Sequence, residues 1–207
     1  MRDVKADIFN CGRKLFSLKG FKGTSVLDIT IMAGVGVGTF YSYYASKEKL
    51  FLEIYTKENE KLKKSIKESI DLNDDPVTLV TKLMAQNISA MNSNLILKEW
   101  YNRELFSKLE QYFYEQDGLE NIDEFMNSGI GELIREWRAE GKIRDDIDDE
   151  MIRALFNSVS YIDIRKTEIG IQHFPRILYY ITEFIMKGLA DCPKKIDAGS
   201  YFLPLHE

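Results

Sequence analysis

Proline is scarce in this sequence of 207 residues, with four, and cysteine and histidine are scarcer, with two each. Each shortage excludes something. Cys11 and Cys192 stand far apart and match no metal-ligand spacing, a usage that fits a reducing cytoplasm. With His173 and His206 as the only histidines, histidine-based catalysis and zinc ligation have little to draw on. Neither a metal nor a cofactor is expected. No run of eighteen apolar residues occurs, so no membrane span is expected. The opening "MRDVKADIFNCGRKLF" is amphipathic and acid-containing, unlike the apolar core of a signal peptide. A G-x-S-x-G elbow and a phosphate loop are also missing, which argues against a hydrolase or nucleotide-dependent transferase.

Charge is present, and it is unevenly distributed. The net charge is −5, yet residues 1–70 hold 13 Lys and Arg against 8 Asp and Glu, while residues 71–207 hold 15 against 25. A basic head on an acidic body points to a polyanionic partner at one end. Clustering of solvated charges accounts for an imbalance of this size equally well.

Helical periodicity runs through nearly the whole chain, and alternating strand patterns are rare. Residues 2–18 place Val4, Ile8, Cys11 and Leu15 on one side, and Lys19-Gly20 closes that helix. Ser25 and Asp28 resemble a capping box, followed by the apolar stripe Val26, Ile29 and Ala33. A short helix is expected over 37–43. After the N-cap Ser46, a long one is expected over 47–70, about 24 residues or roughly 36 Å, with Leu50, Ile54, Leu62, Ile66 and Ile70 inward. "DLNDDP", residues 71–76, breaks it with a proline suited to a helix start. Further helices are expected near 76–92, 95–116, 120–140, 148–168 and 174–190. The fold class is all-α, with about nine helices. The expected division is residues 1–48, 49–191 and a tail, 192–207.

The stretch "AGVGVGTFYSYYASKEKL", residues 33–50, carries glycines at 34, 36 and 38. A dinucleotide fingerprint requires a preceding strand and the spacing G-x-G-x-x-G; here a capped helix precedes G-x-G-x-G. A phosphate loop requires Lys-Ser/Thr after its last glycine, and Thr39-Phe40 stands there. Two short helices joined at Gly34 fit instead, a helix-turn-helix. Val35 would plug the angle between them, and Phe40 and Tyr44, four apart, would bury one face of the second. Val37, Gly38, Thr39, Tyr41, Ser42 and Tyr43 then face outward or sit at the helix start, where major-groove readers present side chains to base edges. Gly36 and Gly38 leave the backbone free to approach a phosphate.

The same residues carry a family resemblance. Residues 15–50, with "LF…GF.GTS..DI…AGV" followed by "GTFY.YY.SKE.L", resemble the N-terminal domain of TetR-family transcriptional regulators over about a quarter of the chain. The resemblance implies phosphate contacts from Thr24 and Ser25, and base or sugar contacts near Gly36 and Val37. It further implies backbone or base contacts from Thr39, Tyr41 and Tyr43, and a phosphate clamp at Lys47. Two positions depart from the pattern: Gly36 stands where Ser is common, and Val37 where a polar residue often appears. Val37 can touch only a thymine methyl, so Ser42, Tyr43 and duplex shape carry more of the readout.

The acidic half is rich in aromatics, which in a helical bundle are mostly core. As a set they suggest walls of an apolar pocket. The resemblance implies an effector site in this domain, for an unidentified, largely apolar or aromatic small molecule. Its candidate lining is Trp100, Tyr101, Phe106, Phe125, Trp137 and Tyr161. Glu99, Glu104, Asp163 and Glu168 read as solvated helix faces ahead of counterions for a cationic ligand. "DDIDDE", residues 145–150, reads as helix capping, lacking the glycine and spaced Glu of a calcium loop.

Two late helices suggest a homodimer interface. Leu155, Phe156, Val159 and Ile162 lie along one, and Ile177, Ile181, Phe184 and Ile185 along the other. Taken together, these features predict a cytoplasmic, ligand-responsive DNA-binding regulator, and the resemblance implies a repressor released from a palindromic double-stranded operator. The alternative is a helical interaction module whose basic head binds an acidic partner.

Overall fold

The computed structural model describes residues 2–69, 71, 73–115 and 131–190. Among these residues there is no strand. Four helices begin the chain: α1 Val4–Lys19, α2 Val26–Ala33, α3 Val37–Tyr43 and α4 Lys47–Glu68. They are followed by α5 Pro76–Ser93, α6 Leu95–Lys98, a 3-10 turn Glu99–Tyr101 and α7 Arg103–Glu115. Residues 131–139 are helical (α8). The described chain closes with α9 Asp149–Ile164, α10 Lys166–Ile169, a second 3-10 turn Ile171–His173 and α11 Arg176–Ala190.

Local chemistry sets most of the boundaries. Ser25 caps α2 by accepting from Asp28 N–H, while the Asp28 carboxylate accepts from Ser25 N–H, a complete capping box. Ser46 caps α4 through Lys49 N–H, and Asp75 caps α5 ahead of Pro76. Asp148, within the acidic run, accepts from Met151 N–H at the start of α9. Gly34 ends α2 at φ 63°, ψ 41°, a left-handed conformation that costs other residues about 1–2 kcal/mol.

Two expected helices are broken. The segment 95–116 divides into α6, the 3-10 turn and α7, because Asn102 adopts an extended conformation and its side chain accepts from Leu105 N–H. The segment 148–168 breaks at Arg165, where α10 begins. These breaks give eleven helices among the described residues instead of about nine. α4 ends at Glu68; Ile70 and residues 120–130 of the expected 120–140 helix lie outside the described residues, as does the tail.

The first core joins α1–α4 to the start of the acidic half. Ile8, Leu15, Phe16, Ile29, Phe40, Leu50, Phe51 and Ile54 pack continuously with Ile96, Trp100, Phe106 and Leu109. Phe16, Phe21 and Phe51 meet ring to ring, with centroids 5.1–5.9 Å apart. α1 crosses α4 at Gly12, where a Cβ would lie 2.8 Å from Leu50 Cδ2. The second core gathers Leu79 of α5, Leu133, Ile134 and Trp137 of α8, Ile152 and Phe156 of α9, and Met186 and Leu189 of α11. No single helix among the described residues is long and apolar enough to cross a membrane.

Candidate nucleic-acid interface and the cluster behind it

α2 and α3 are bent by 100° about the turn at Gly34 and Val35, within the range of a helix-turn-helix. Phe40 and Tyr44 are buried and Val35 packs against the same core, so the apolar side of α3 is spent on the fold. Its other side is outside: Val37 is exposed, Tyr41 54% and Tyr43 46% so. Ser42 is exposed and its hydroxyl donates to Gly38 O at 3.2 Å, while Thr39 is half-buried. A Cβ on Gly38 would meet nothing within 4 Å, so the chain's own packing does not demand a glycine there. The Gly36 N-cap offers no side-chain acceptor to the first turn of α3.

The remaining expected contacts sit differently. Thr24 is 1% exposed, and its hydroxyl donates to Gly20 O at 2.9 Å. The exposed Ser25 hydroxyl serves the capping box. Lys47 lies over the Phe21 ring, Nζ 3.9 Å from its centroid, and donates to Phe21 O at 2.9 Å and Thr24 O at 2.8 Å. Burial lowers its pKa below the ordinary lysine value. In this structure Lys47 therefore ties the α1–α2 loop to α4. A groove of about 360 Å³ runs beside the end of α3, lined by Tyr43, Tyr44, Ala45, Lys49, Glu53, Thr56, Lys57 and Glu60.

The same loop is held from the acidic half. Phe21 N–H donates to Glu99 Oε1 at 3.2 Å, and Glu99 Oε2 accepts from the Asn102 amide at 2.7 Å. The charge of Glu99 predicts a solvated face; the break at Asn102 turns it inward onto the α1–α2 loop. Asp163 is corrected in the same way. Its Oδ2 accepts from Trp100 Nε1 at 2.7 Å, and burial raises the carboxyl's pKa against the opposing pull of the Lys166 ammonium. The signal for Asp163 was the aromatic cluster around residue 100, whose indole needed a polar partner.

Trp100, Tyr101 and Phe106, three of the expected pocket residues, do converge, and they converge on Lys166. Trp100 also stacks on Tyr55 of α4, centroids 5.1 Å apart at 14°. Trp137 belongs instead to the second core, Tyr161 is 51% exposed on α9, and Phe125 lies outside the described residues. On the late helices, Phe156 is buried within the chain's own second core. Leu155, Val159, Ile162, Ile177, Ile181 and Ile185 are half-buried, and Phe184 is 66% exposed, stacked on exposed Tyr180.

The model for bacterial regulatory proteins of the tetR family matches residues 8–54, the helix-turn-helix and its flanks. The HTH-type transcriptional repressor KstR2 of Mycolicibacterium smegmatis is 21% identical over 188 residues, spanning 86% of this chain and 90% of that protein. Thermus thermophilus FadR, a TetR-family transcriptional repressor in complex with lauroyl-CoA, matches with a TM-score of 0.53. That match covers 94% of this chain and 98% of FadR at 19% identity. RolR in complex with resorcinol matches at 0.58 over 90% of this chain and 87% of RolR, at 13% identity. Residues 8–54 thus match the tetR family of bacterial regulatory proteins, and the likeness of the longer chain to these solved structures is one of fold.

Proposed function

We propose that this chain is a ligand-responsive DNA-binding repressor that acts as a homodimer. The observation that carries the reading is α3: its inner face is consumed by Phe40 and Tyr44, while Val37, Tyr41, Ser42 and Tyr43 stand outside, with the Ser42 hydroxyl turned back to Gly38 O of its own helix. Tyr41 and Tyr43 offer hydroxyls and ring edges to a groove, and Val37 offers a methyl contact to thymine. Gly36, Gly38 and Thr39 at the start of α3 leave the backbone open to a phosphate. Thr24 and Lys47 act from inside, shaping the α1–α2 loop so that Ser25 and α2 meet the duplex in register.

A two-fold dimer supplies a second α3 for a palindromic site. The exposed Phe184 and Tyr180, with half-buried Ile177 and Ile181, offer the apolar face for it. Ligand response needs a mechanical connection, and two are available: α4, which runs from Lys47 to the aromatic cluster, and Glu99, which grips the Phe21 N–H. A coupling of about 1–3 kcal/mol through them suffices to release an operator. FadR and RolR are seen with lauroyl-CoA and resorcinol, ligands of unlike chemistry. The effector of this chain is therefore to be sought in its own residues.

The test is a mobility-shift titration with DNA from upstream of the chain's own gene. Specific binding that weakens steeply with rising salt, and is lost in Tyr41→Ala and Tyr43→Ala, is the expected result. Salt-independent binding, or affinity unmoved by both substitutions, overturns the reading. Retention of an acidic protein in place of DNA supports the interaction-module alternative.

A further inference from the structure

Lys166 is 0% exposed. A lysine at the start of a short helix ordinarily carries its ammonium out to water along its flexible stem. This one points inward. Its Nζ lies 3.3 Å from the Phe106 ring centroid, 4.1 Å from that of Trp100 and 5.8 Å from that of Tyr101. It donates to the Asp163 carbonyl at 2.9 Å, and Asp163 Oδ1 is 4.0 Å away. That Oδ1 is buried, the Tyr101 phenol lies beside the carboxyl, and Oδ2 is taken by Trp100 Nε1. Three ring faces on one side and a carboxylate on the other form the arrangement that recognises an organic ammonium.

The occupant is the chain's own, and it is carried by a short segment between two breaks. α10 is four residues long, entered at the break of Arg165 and left at Gly170, whose φ is 120°. We propose that Trp100, Tyr101, Phe106 and Asp163 form a binding site for a monovalent organic ammonium, and that Lys166 is a built-in occupant displaced when the ligand enters. Charge selects the class. One monocation replacing another keeps Asp163 neutralised; a neutral ligand expelling Lys166 strands the carboxylate, and an anion is set against it. As the effector site of a regulator, this proposal rests on the function proposed above. Exchange at the cage is felt by the reader because Trp100 stacks on Tyr55 of α4, and its neighbour Glu99 holds Phe21 N–H.

The experiment uses the full chain and choline, with 3,3-dimethylbutan-1-ol as the neutral isostere. Calorimetry on Lys166→Met is expected to give choline binding at least about ten-fold tighter than in the unsubstituted chain. The alcohol binds neither, and Asp163→Asn in the Lys166→Met background removes the preference for the cation. In the unsubstituted chain, the Lys166 side-chain resonances, shifted by the surrounding rings, move to their free positions at saturating choline. That measurement decides the matter if Lys166→Met does not fold. Equal binding of choline and alcohol overturns the proposal, as does a Lys166 signal that choline leaves in place. If DNA is bound specifically yet choline is ignored, the cage fails and the regulator reading stands. If choline displaces Lys166 but no DNA is bound, the regulator reading fails and the cage stands.

Discussion

The backbone N–H of Phe21 donates to Oε1 of Glu99 at 3.2 Å, joining the loop before α2 to a 3-10 turn 78 positions later. Glu99 is in turn steadied by the Asn102 amide, and it sits beside Trp100, whose ring lies over Lys166. Glu99→Ala leaves the Phe21 N–H without its acceptor and is expected to cost about 1–2 kcal/mol in urea unfolding. Glu99→Gln keeps an oxygen in place and should recover most of that loss. Equal loss in both variants would assign the effect to charge and remove the hydrogen bond from the account.

Gly34 sits at φ 63° between α2 and α3. Space is not the obstacle to a side chain here, since a Cβ would meet only Arg2 Nη2, at 3.7 Å. Gly34→Ala should therefore lower stability by about 1–2 kcal/mol through backbone strain alone. Gly34→Asn should cost less, because asparagine tolerates the left-handed region. Denaturant midpoints of the three proteins check the order.

Phe16 is fully buried and touches the rings of both Phe21 and Phe51. Phe16→Ala removes one ring of that mutually packed trio and is expected to destabilise the chain by about 3–5 kcal/mol. Loss of specific DNA binding should track the unfolded fraction in melts of the same variant. A stable but non-binding Phe16→Ala would reveal a direct role in recognition.

Phe184 is exposed on α11 beside Tyr180, away from the buried Leu178, Thr182 and Met186. In the homodimer proposed here, Phe184→Glu places a charge at the two-fold contact. Sedimentation should show twice the chain mass for the unsubstituted protein and a single chain for the variant. An unchanged mass would move the interface elsewhere.

Asp28 holds its carboxyl below the usual range by accepting from the Ser25 hydroxyl and N–H. Asp75 does so at the start of α5, through the Thr78 hydroxyl and then the N–H groups of Thr78 and Val77. Because the folded values are depressed, this stabilisation is complete above the unfolded value of 3.8 and is lost as pH falls through the folded values. Melting temperatures taken from about pH 6 to about pH 2 should fall in that acid window. Asp28→Asn should flatten part of the slope; an unaltered slope would remove Asp28 from the acid response.

Where an interaction closes within four or five residues, the sequence by itself determined the outcome. The capping box of Ser25 and Asp28, the left-handed stop at Gly34, the cap at Ser46 and the buried pair Phe40 and Tyr44 depend on neighbours along one turn of helix. The helix-turn-helix is made almost wholly of such features, which is why it was legible. Periodicity could not detect the break at Asn102, since the apolar spacing on either side stays helical while contacts from other elements settle the turn. Burial of charge was equally out of reach. Glu99 and Asp163 are charged residues whose usual place is in water, and their partners, Phe21 and Trp100, stand 78 and 63 positions away. Only the tertiary structure decided that these carboxylates turn inward and that Lys166 fills the space between the rings, because desolvating a charge is tolerable only where distant parts of the chain supply its partners.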